Sequence, residues 1–167
     1  MNYEHLVKDF ALRTQKNLHA LRNLQASDPK SEVYEVTQLI NSMLGLLVFP
    51  QQRYVANIPK VPLSNLANQG WAVPKIVGDY PQVENLNQLV RFLRNAVAHF
   101  NLKFLSDSDG RIRGLEVWNK DARRQVTWKA ELTVEDIEKI SQKFIELLLN
   151  DAPEQWLAAD AAIPSSL

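Results

Sequence analysis

The sequence predicts a mainly α-helical α+β domain, a bundle of about four main helices with a small three-stranded antiparallel meander inserted before the last helix. Two different spacings of apolar residues along the chain predict this fold. In four segments, apolar residues recur every three or four positions, the period of an amphipathic helix. Between residues 102 and 132 they alternate with polar residues, as in a half-buried strand. A chain of 167 residues that is 46% hydrophobic and 23% charged suits one globular domain.

The first two helices are predicted at the start of the chain. Helical spacing of apolar residues runs from Asn2 to about Leu24. Asp28 and Pro29 then favour the end of one helix and the start of the next, because Asp caps a helix and Pro suits its first turn. The second apolar stripe runs through residues 33–47 and is expected to be largely buried, with Pro50 ending the helix.

Residues 50–81 contain five of the eight prolines in the chain, so long regular elements are not expected there. The segment is nevertheless too apolar for a disordered linker. We expect an ordered loop packed on the helices, with a short helix near Ser64–Asn68.

The second half of the chain should hold a third main helix, three strands and a final helix. The third helix runs from Glu84 to about Phe100, and turn signals at residues 106–110 and 119–122 separate the three strands. Thr133 is expected to cap the final helix. We assign residues 1–150 to a single domain and residues 151–167 to a loosely docked tail.

Composition excludes several kinds of protein. The chain has no cysteine, which excludes disulfides, thiolate zinc sites and a cysteine nucleophile. No apolar run approaches the roughly 20 residues of a membrane span. We therefore expect a cytoplasmic protein with no membrane association. Neither a metal site nor a cofactor is expected, because the chain has no phosphate-binding glycine loop and no pair of histidines at metal-ligand spacing. Asp107–Gly110 superficially matches a calcium loop, but a hairpin turn is the better interpretation.

One short segment carries a recognisable motif. The sequence Arg94-Asn95-Ala96-Val97-Ala98-His99 resembles the R-x4-6-H signature of the HEPN superfamily (higher eukaryote and prokaryote nucleotide-binding), including the Asn that often follows the Arg. The helical core and the strand meander after the motif are similar to a plasmid-borne branch of HEPN proteins related to toxin-type ribonucleases. The resemblance implies an RNA substrate, a homodimer with a composite active site, and a toxin–antitoxin or defence role with an antitoxin protein as a possible partner.

These residue types suit RNA cleavage. An imidazole such as that of His99 can act as a general base or acid, whereas Arg94 keeps its charge and offers a fork of donors to phosphate oxygens. Asn95 lies four residues before His99 and so shares its helix face. Arg94 lies about 140° from His99 on an ideal helix, so one helix does not bring both to one phosphate. A two-fold dimer would relieve this by placing two copies of each residue around one groove.

Structural alternatives exist for each of these residues. His99 could cap the last carbonyls of its helix, Arg94 could pair with Glu84 or Asp79, and Asn95 could merely satisfy a backbone group. A second match to the spacing, from Arg13 to His19, lacks the following Asn and the apolar helix context. His5 is interpreted as structural.

Charge is unevenly distributed although lysines and arginines balance acidic residues at 19 each. Residues 91–129 carry nine basic and four acidic side chains, whereas residues 130–167 carry two basic and eight acidic ones. Clustered positive charge favours binding to a phosphate backbone. The expected substrate-binding residues are Arg91, Lys103, Arg111, Arg113, Arg123 and Arg124. Trp118 and Trp128 could stack on bases if exposed, although their alternation with apolar residues favours the core.

The leading hypothesis is a dimeric, metal-independent endoribonuclease of HEPN type. By resemblance, Arg94, Asn95 and His99 form its catalytic site and the product carries a 2′,3′-cyclic phosphate. The alternative is a non-catalytic HEPN module that binds a nucleotide or a protein partner and keeps the motif for structural reasons.

Overall fold

The computed structural model describes residues 3–28, 30–31, 34–48 and 58–150, except for the side chains of residues 3–5. Its helices and strands follow one another in an order close to the predicted one. The helices are α1 (Tyr3–Ser27), α2 (Glu35–Val48), α3 (Leu63–Asn68), α4 (Leu86–Ala98) and α5 (Val134–Asn150). The strands are β1 (Lys75–Ile76), β2 (Leu102–Ser106), β3 (Ile112–Lys120) and β4 (Val126–Thr133).

The helices enclose one continuous apolar core within the described residues. Helix α5 packs against α1 and α2, and α4 packs between α2 and the sheet. Helix α2 is almost entirely apolar on its inner side, as its stripe predicts, and α5 buries a long stripe that includes Ile137, Ile140 and Phe144. None of the helices in the described residues is both long and apolar enough to cross a membrane.

The sheet is antiparallel with the strand order β1-β4-β3-β2. The predicted three-stranded meander corresponds to β2, β3 and β4. The two-residue strand β1, which the sequence did not predict, adds to β4 through the pairs Lys75–Glu131 and Ile76–Ala130. One face of the sheet packs against the helices through Leu115, Val117, Trp128, Ala130 and Leu132, none more than 1% exposed.

Two Asp residues build the two turns of the meander in the same way. The Asp107 carboxylate accepts hydrogen bonds from the backbone N–H groups of residues 109 and 111, and that of Asp121 accepts them from residues 123 and 125. The fourth residue of each turn has a positive φ, +76° at Gly110 and +63° at Arg124. Asp107 therefore serves a hairpin turn, in line with the interpretation of its sequence.

Some predicted helix boundaries were wrong. Helix α2 begins at Glu35 and not after Asp28, because the Asp28 carboxylate accepts a hydrogen bond from the Lys30 N–H at 3.1 Å and closes a local turn instead. The short helix near Ser64–Asn68 is confirmed as α3. The predicted helix end at Pro50 and the predicted tail, residues 151–167, lie outside the described residues.

The cap of the last helix is confirmed. The Thr133 hydroxyl accepts a hydrogen bond from the Asp136 N–H at 3.1 Å, and the Asp136 carboxylate accepts one from the Thr133 N–H at 2.9 Å. This reciprocal pair satisfies two backbone donors where β4 passes directly into α5.

Candidate functional site

Helix α4 carries the Arg-Asn…His motif, and its amphipathic pattern determines how it is oriented. Asn85 caps it, with its side-chain oxygen accepting a hydrogen bond from the Gln88 N–H at 3.0 Å. The core-facing stripe is fully buried and consists of Leu86, Leu89, Val90, Leu93 and Ala96. On the sheet side, the buried Asn119 amide donates to the Phe92 carbonyl at 3.2 Å and ties α4 to β3. The polar motif residues are thereby left on the outer side of the helix.

The end of α4 is a Schellman motif that presents His99. Backbone N–H groups of Phe100 and Asn101 donate to the carbonyls of Val97 and Ala96, at 3.0 and 2.7 Å. Those carbonyls are thus satisfied by the backbone, and the imidazole of His99 caps none of the described carbonyls. The His99 side chain is exposed to solvent. The alternative that His99 is a helix cap is therefore wrong for its side chain.

The side chain of Arg94 is half-buried and has no ion-pair partner among the described residues. Its Nε is buried and has no hydrogen-bond partner, and within the described residues no carboxylate lies at ion-pair distance from its guanidinium. The alternative pairings with Glu84 and Asp79 are therefore not made. By contrast, Arg22 contacts two carboxylates, those of Glu35 and Glu138, at 3.0 and 2.7 Å. Arg94 keeps its donors available.

The second match to the motif spacing is engaged in local contacts on α1. Arg13 forms an ion pair with Asp9 at 2.8 Å, one helical turn away. The His19 ring nitrogen Nε2 lies 3.1 Å from the Asn23 amide nitrogen. The side chain of His5 lies outside the described residues. In the part of the chain that the structure describes, the side chains of Arg94 and His99 thus have no such partners.

Helix geometry groups some motif residues and separates others. Arg91, Asn95 and His99 follow one another at intervals of four and so lie along one stripe of the outer surface. Arg94 is displaced from His99 by about 140° and by about 7.5 Å along the axis. The chain therefore places Arg94 beside the polar stripe, and a single copy does not bring its guanidinium and the imidazole onto the same side of the helix.

The six predicted substrate-binding residues are all exposed, but they form separate groups. The exposed residues are Arg91, Lys103, Arg111, Arg113, Arg123 and Arg124. The Trp118 N–H donates to the Asn101 carbonyl at 3.1 Å, which fixes the end of α4 beside that residue of β3. Arg113 lies on β3 five positions before Trp118, about 17 Å from it, and Arg111 immediately precedes β3, about 23 Å from Trp118.

The β3–β4 turn lies much nearer to the motif. Strand β3 ends at Lys120, two residues and about 7 Å beyond Trp118. Arg123 and Arg124 follow directly in the turn, so they belong to the same end of the sheet as His99. Lys129, also in the basic segment, is partly neutralised by an ion pair with Glu116 at 3.0 Å.

The aromatic residues differ from the sequence-based expectation in one case. Trp128 is fully buried and stacks obliquely against Phe92, with ring centroids 5.1 Å apart, as predicted for a core residue. Trp118 is only half-buried, because the register pairs it with Lys129 on the outer face of the sheet. Sequence reasoning missed Phe100, whose side chain is 79% exposed and directly follows His99. Its position immediately after the motif was the available signal.

The described residues contain no group of three His, Asp or Glu side chains arranged to hold a metal ion. Comparison with curated proteins and with solved structures finds no match for the chain. One protein-family model does match, over residues 1–155, and its description is HEPN pEK499 p136. The match spans nearly the whole sequence and includes α4 with its motif. The chain therefore belongs to the HEPN pEK499 p136 family.

Proposed function

We propose that the protein is a metal-independent endoribonuclease of HEPN type, which acts as a homodimer with a composite site. The observation that carries the proposal is the unpaired guanidinium of Arg94, whose Nε is buried without a partner five residues before an exposed histidine. The rest of the half-buried side chain keeps its positive charge with no carboxylate partner among the described residues, so a phosphate group can take that place.

In the proposed reaction, the 2′-oxygen of a ribose attacks the adjacent phosphorus while the bond from phosphorus to the 5′-oxygen breaks. The 2′-hydroxyl loses its proton to a base, and the leaving 5′-oxygen takes a proton from an acid. The products are a 2′,3′-cyclic phosphate and a 5′-hydroxyl. The imidazole of one His99 makes one of these two proton transfers, and a water molecule makes the other.

Arg94 and Asn95 have supporting roles in this proposal. The guanidinium stabilises the negative charge that develops on the phosphorane oxygens, through two parallel charge-assisted hydrogen bonds. Asn95 lies one helical turn before His99 and holds the imidazole or a phosphate oxygen in place. The two-fold axis compensates for the angular separation of Arg94 and His99 within one helix, because each phosphate takes the guanidinium from one copy and the imidazole from the other.

The first experiment incubates purified protein with labelled single-stranded RNA in EDTA. We expect His99→Ala and Arg94→Ala to lower the cleavage rate by about 10²–10⁴-fold, the usual contribution of an acid–base or charge-stabilising group. The matched controls are His19→Ala and Arg13→Ala, which remove the same side-chain types from the second R-x4-6-H match, on α1, and are expected to cleave at the wild-type rate. Cleavage that persists in His99→Ala, or the absence of cleavage by the wild type, would refute the enzyme and favour a non-catalytic binding module.

The second experiment tests the composite site. Arg94→Ala and His99→Ala proteins, each inactive, are mixed and allowed to exchange subunits. Half of the dimers then contain one copy of each, and one of their two sites has both residues intact, so about one quarter of the wild-type activity should return. If each site used Arg94 and His99 from the same copy, the mixture would stay inactive.

A toxin role makes a cellular prediction. Induced expression of the wild-type chain should arrest bacterial growth, and His99→Ala should not, because growth arrest depends on RNA cleavage. An antitoxin protein would then be recognised as a partner that restores growth. Growth arrest by the His99→Ala protein would assign the toxicity to another property of the chain.

A further inference from the structure

Phe100 combines two features that the fold does not require. Its φ is +54°, in the left-handed region that costs an L-residue free energy because its Cβ comes too close to the following carbonyl oxygen. Its side chain is 79% exposed, so burial in the core does not offset that cost. Glycine is the usual residue at this position of a Schellman motif, because it has no Cβ to clash.

Most of the other described residues with a left-handed backbone conformation are glycines. These are Gly70, Gly78 and Gly110, and Arg124 is the one other exception. Arg124 is a charged, exposed residue in the turn nearest the motif. The two non-glycine exceptions thus lie at the same end of the sheet, where His99 is presented. Backbone strain retained at exposed residues in this way is typical of a functional site.

We propose that Phe100 is a substrate-positioning residue, and that its ring stacks on the base of a nucleotide in single-stranded RNA whose phosphate lies at His99 and Arg94. The proposal rests on the proposed ribonuclease function and extends it to the form of RNA that is bound. An exposed ring beside a phosphate-binding group is the arrangement that recognises unpaired bases, since stacked bases of a duplex offer no free face.

The other aromatic residues near the sheet are poorly suited to this role. Trp128 is fully buried and Trp118 is half-buried on the outer face. Phe104 is 48% exposed but lies in the middle of β2, four residues beyond Phe100 and further from His99. Phe100 projects from the corner between α4 and β2, directly after the imidazole. The exposed guanidinium groups of Arg123 and Arg124 at the same end of the sheet supply positive charge for the flanking phosphates. Stacking uses the flat face of a base, which every base has, and does not depend on its pattern of hydrogen-bond donors. We therefore expect the protein to prefer single-stranded RNA with little dependence on base identity.

The test compares four variants: Phe100→Gly, Phe100→Leu, Phe100→Tyr and Phe100→Trp. Each is made in the His99→Ala background so that the probe is not cleaved, and each is titrated with a short RNA that contains 2-aminopurine, whose fluorescence falls on stacking. We expect Gly and Leu to raise Kd by roughly 5- to 100-fold and to abolish the quenching, whereas Tyr and Trp keep both. Tyr34→Ala removes a different exposed aromatic side chain, 75% exposed beside α2, and is the matched control.

A stability measurement separates this role from a structural one. Phe100→Gly should raise Tm by up to about 3 °C, because glycine relieves the left-handed conformation, while RNA binding falls. If Phe100→Gly lowers Tm and binding together, Phe100 is structural and the proposal is overturned.

A dimer contact is the competing role for an exposed phenylalanine. If Phe100→Gly converts the dimer to monomer in sedimentation equilibrium while Phe100→Leu does not, the ring belongs to a protein interface and the proposal is overturned.

The proposed ribonuclease function would fail in a different way, through the absence of RNA cleavage by the wild-type protein. Unchanged Kd and quenching in Phe100→Gly, with cleavage by the His99-containing protein intact, would refute the stacking role alone.

Discussion

The two arginine pairs of the sheet allow a sharp test of where RNA lies. Arg123 and Arg124 follow the end of β3 that abuts α4, whereas Arg111 and Arg113 lie at and near the start of β3, about 17–23 Å from Trp118. All four guanidinium groups are exposed. If RNA binds at His99, the near pair contacts phosphates of a short strand and the far pair does not.

The expected magnitude follows from counterion release. For single strands, log K falls with log salt concentration with a slope of about −0.7 per phosphate contact. Removing two contacts with Arg123→Gln/Arg124→Gln should therefore reduce the slope by about 1.4 and weaken binding by about 25-fold at 0.1 M salt. Arg111→Gln/Arg113→Gln removes the same charge from the same β-meander and should change neither quantity appreciably.

The assay is fluorescence anisotropy with a labelled single-stranded RNA of about three nucleotides, titrated at several salt concentrations between about 50 and 300 mM in the His99→Ala background. A strand of this length is used so that one molecule does not reach both ends of β3. An equal or larger loss in the Arg111→Gln/Arg113→Gln protein would refute the placement of RNA at the end of α4. An unchanged salt slope in both double variants would refute phosphate contacts by either pair.

Three further predictions concern the scaffold. Arg124→Gly should stabilise the fold by about 1 kcal/mol and raise Tm by about 2–4 °C, because Arg124 has φ +63° in an exposed turn, and thermal unfolding checks it. Gly114→Ala should cost about 3 kcal/mol or more in urea unfolding, since its Cβ would overlap the Leu132 carbonyl oxygen and force β3 from β4. The hydrogen bond and charge of the Lys139 ammonium lower the pKa of the exposed Glu135 carboxyl. The pair therefore contributes to stability above the pKa that Glu135 has in the unfolded chain, and this contribution is lost as pH falls through its lower folded pKa. In Glu135→Gln, NMR titration should show the raised pKa of Lys139 returning toward its ordinary value.

Local features of the fold could be predicted from the sequence because their causes are local. The stripe of α4, the turns at Asp107 and Asp121, and the cap at Thr133 each depend on residues within a few positions of one another. Periodicity and turn chemistry act over that same range. The motif itself is local too, so its place at the end of an amphipathic helix was predictable.

Features of the fold that depend on contacts between distant segments could not be predicted from the sequence. Strand β1 is two residues long and exists because β4 offers it an edge. The pairing of Trp118 with Lys129 also depends on the register between β3 and β4, which residues far apart in the chain determine.

The candidate site also combines features that the sequence predicts with features that only the tertiary structure decides. The residue types, their spacing and the angle between Arg94 and His99 follow from the sequence and from helix geometry. That Arg94 is left without a carboxylate partner, that His99 is exposed, and that Phe100 projects beside it were decided by which segments pack together. Periodicity and turn chemistry act between residues that are close in the chain, whereas ion pairing and exposure depend on groups that folding brings near. The pairing and exposure of the site residues were therefore decided by the tertiary structure alone.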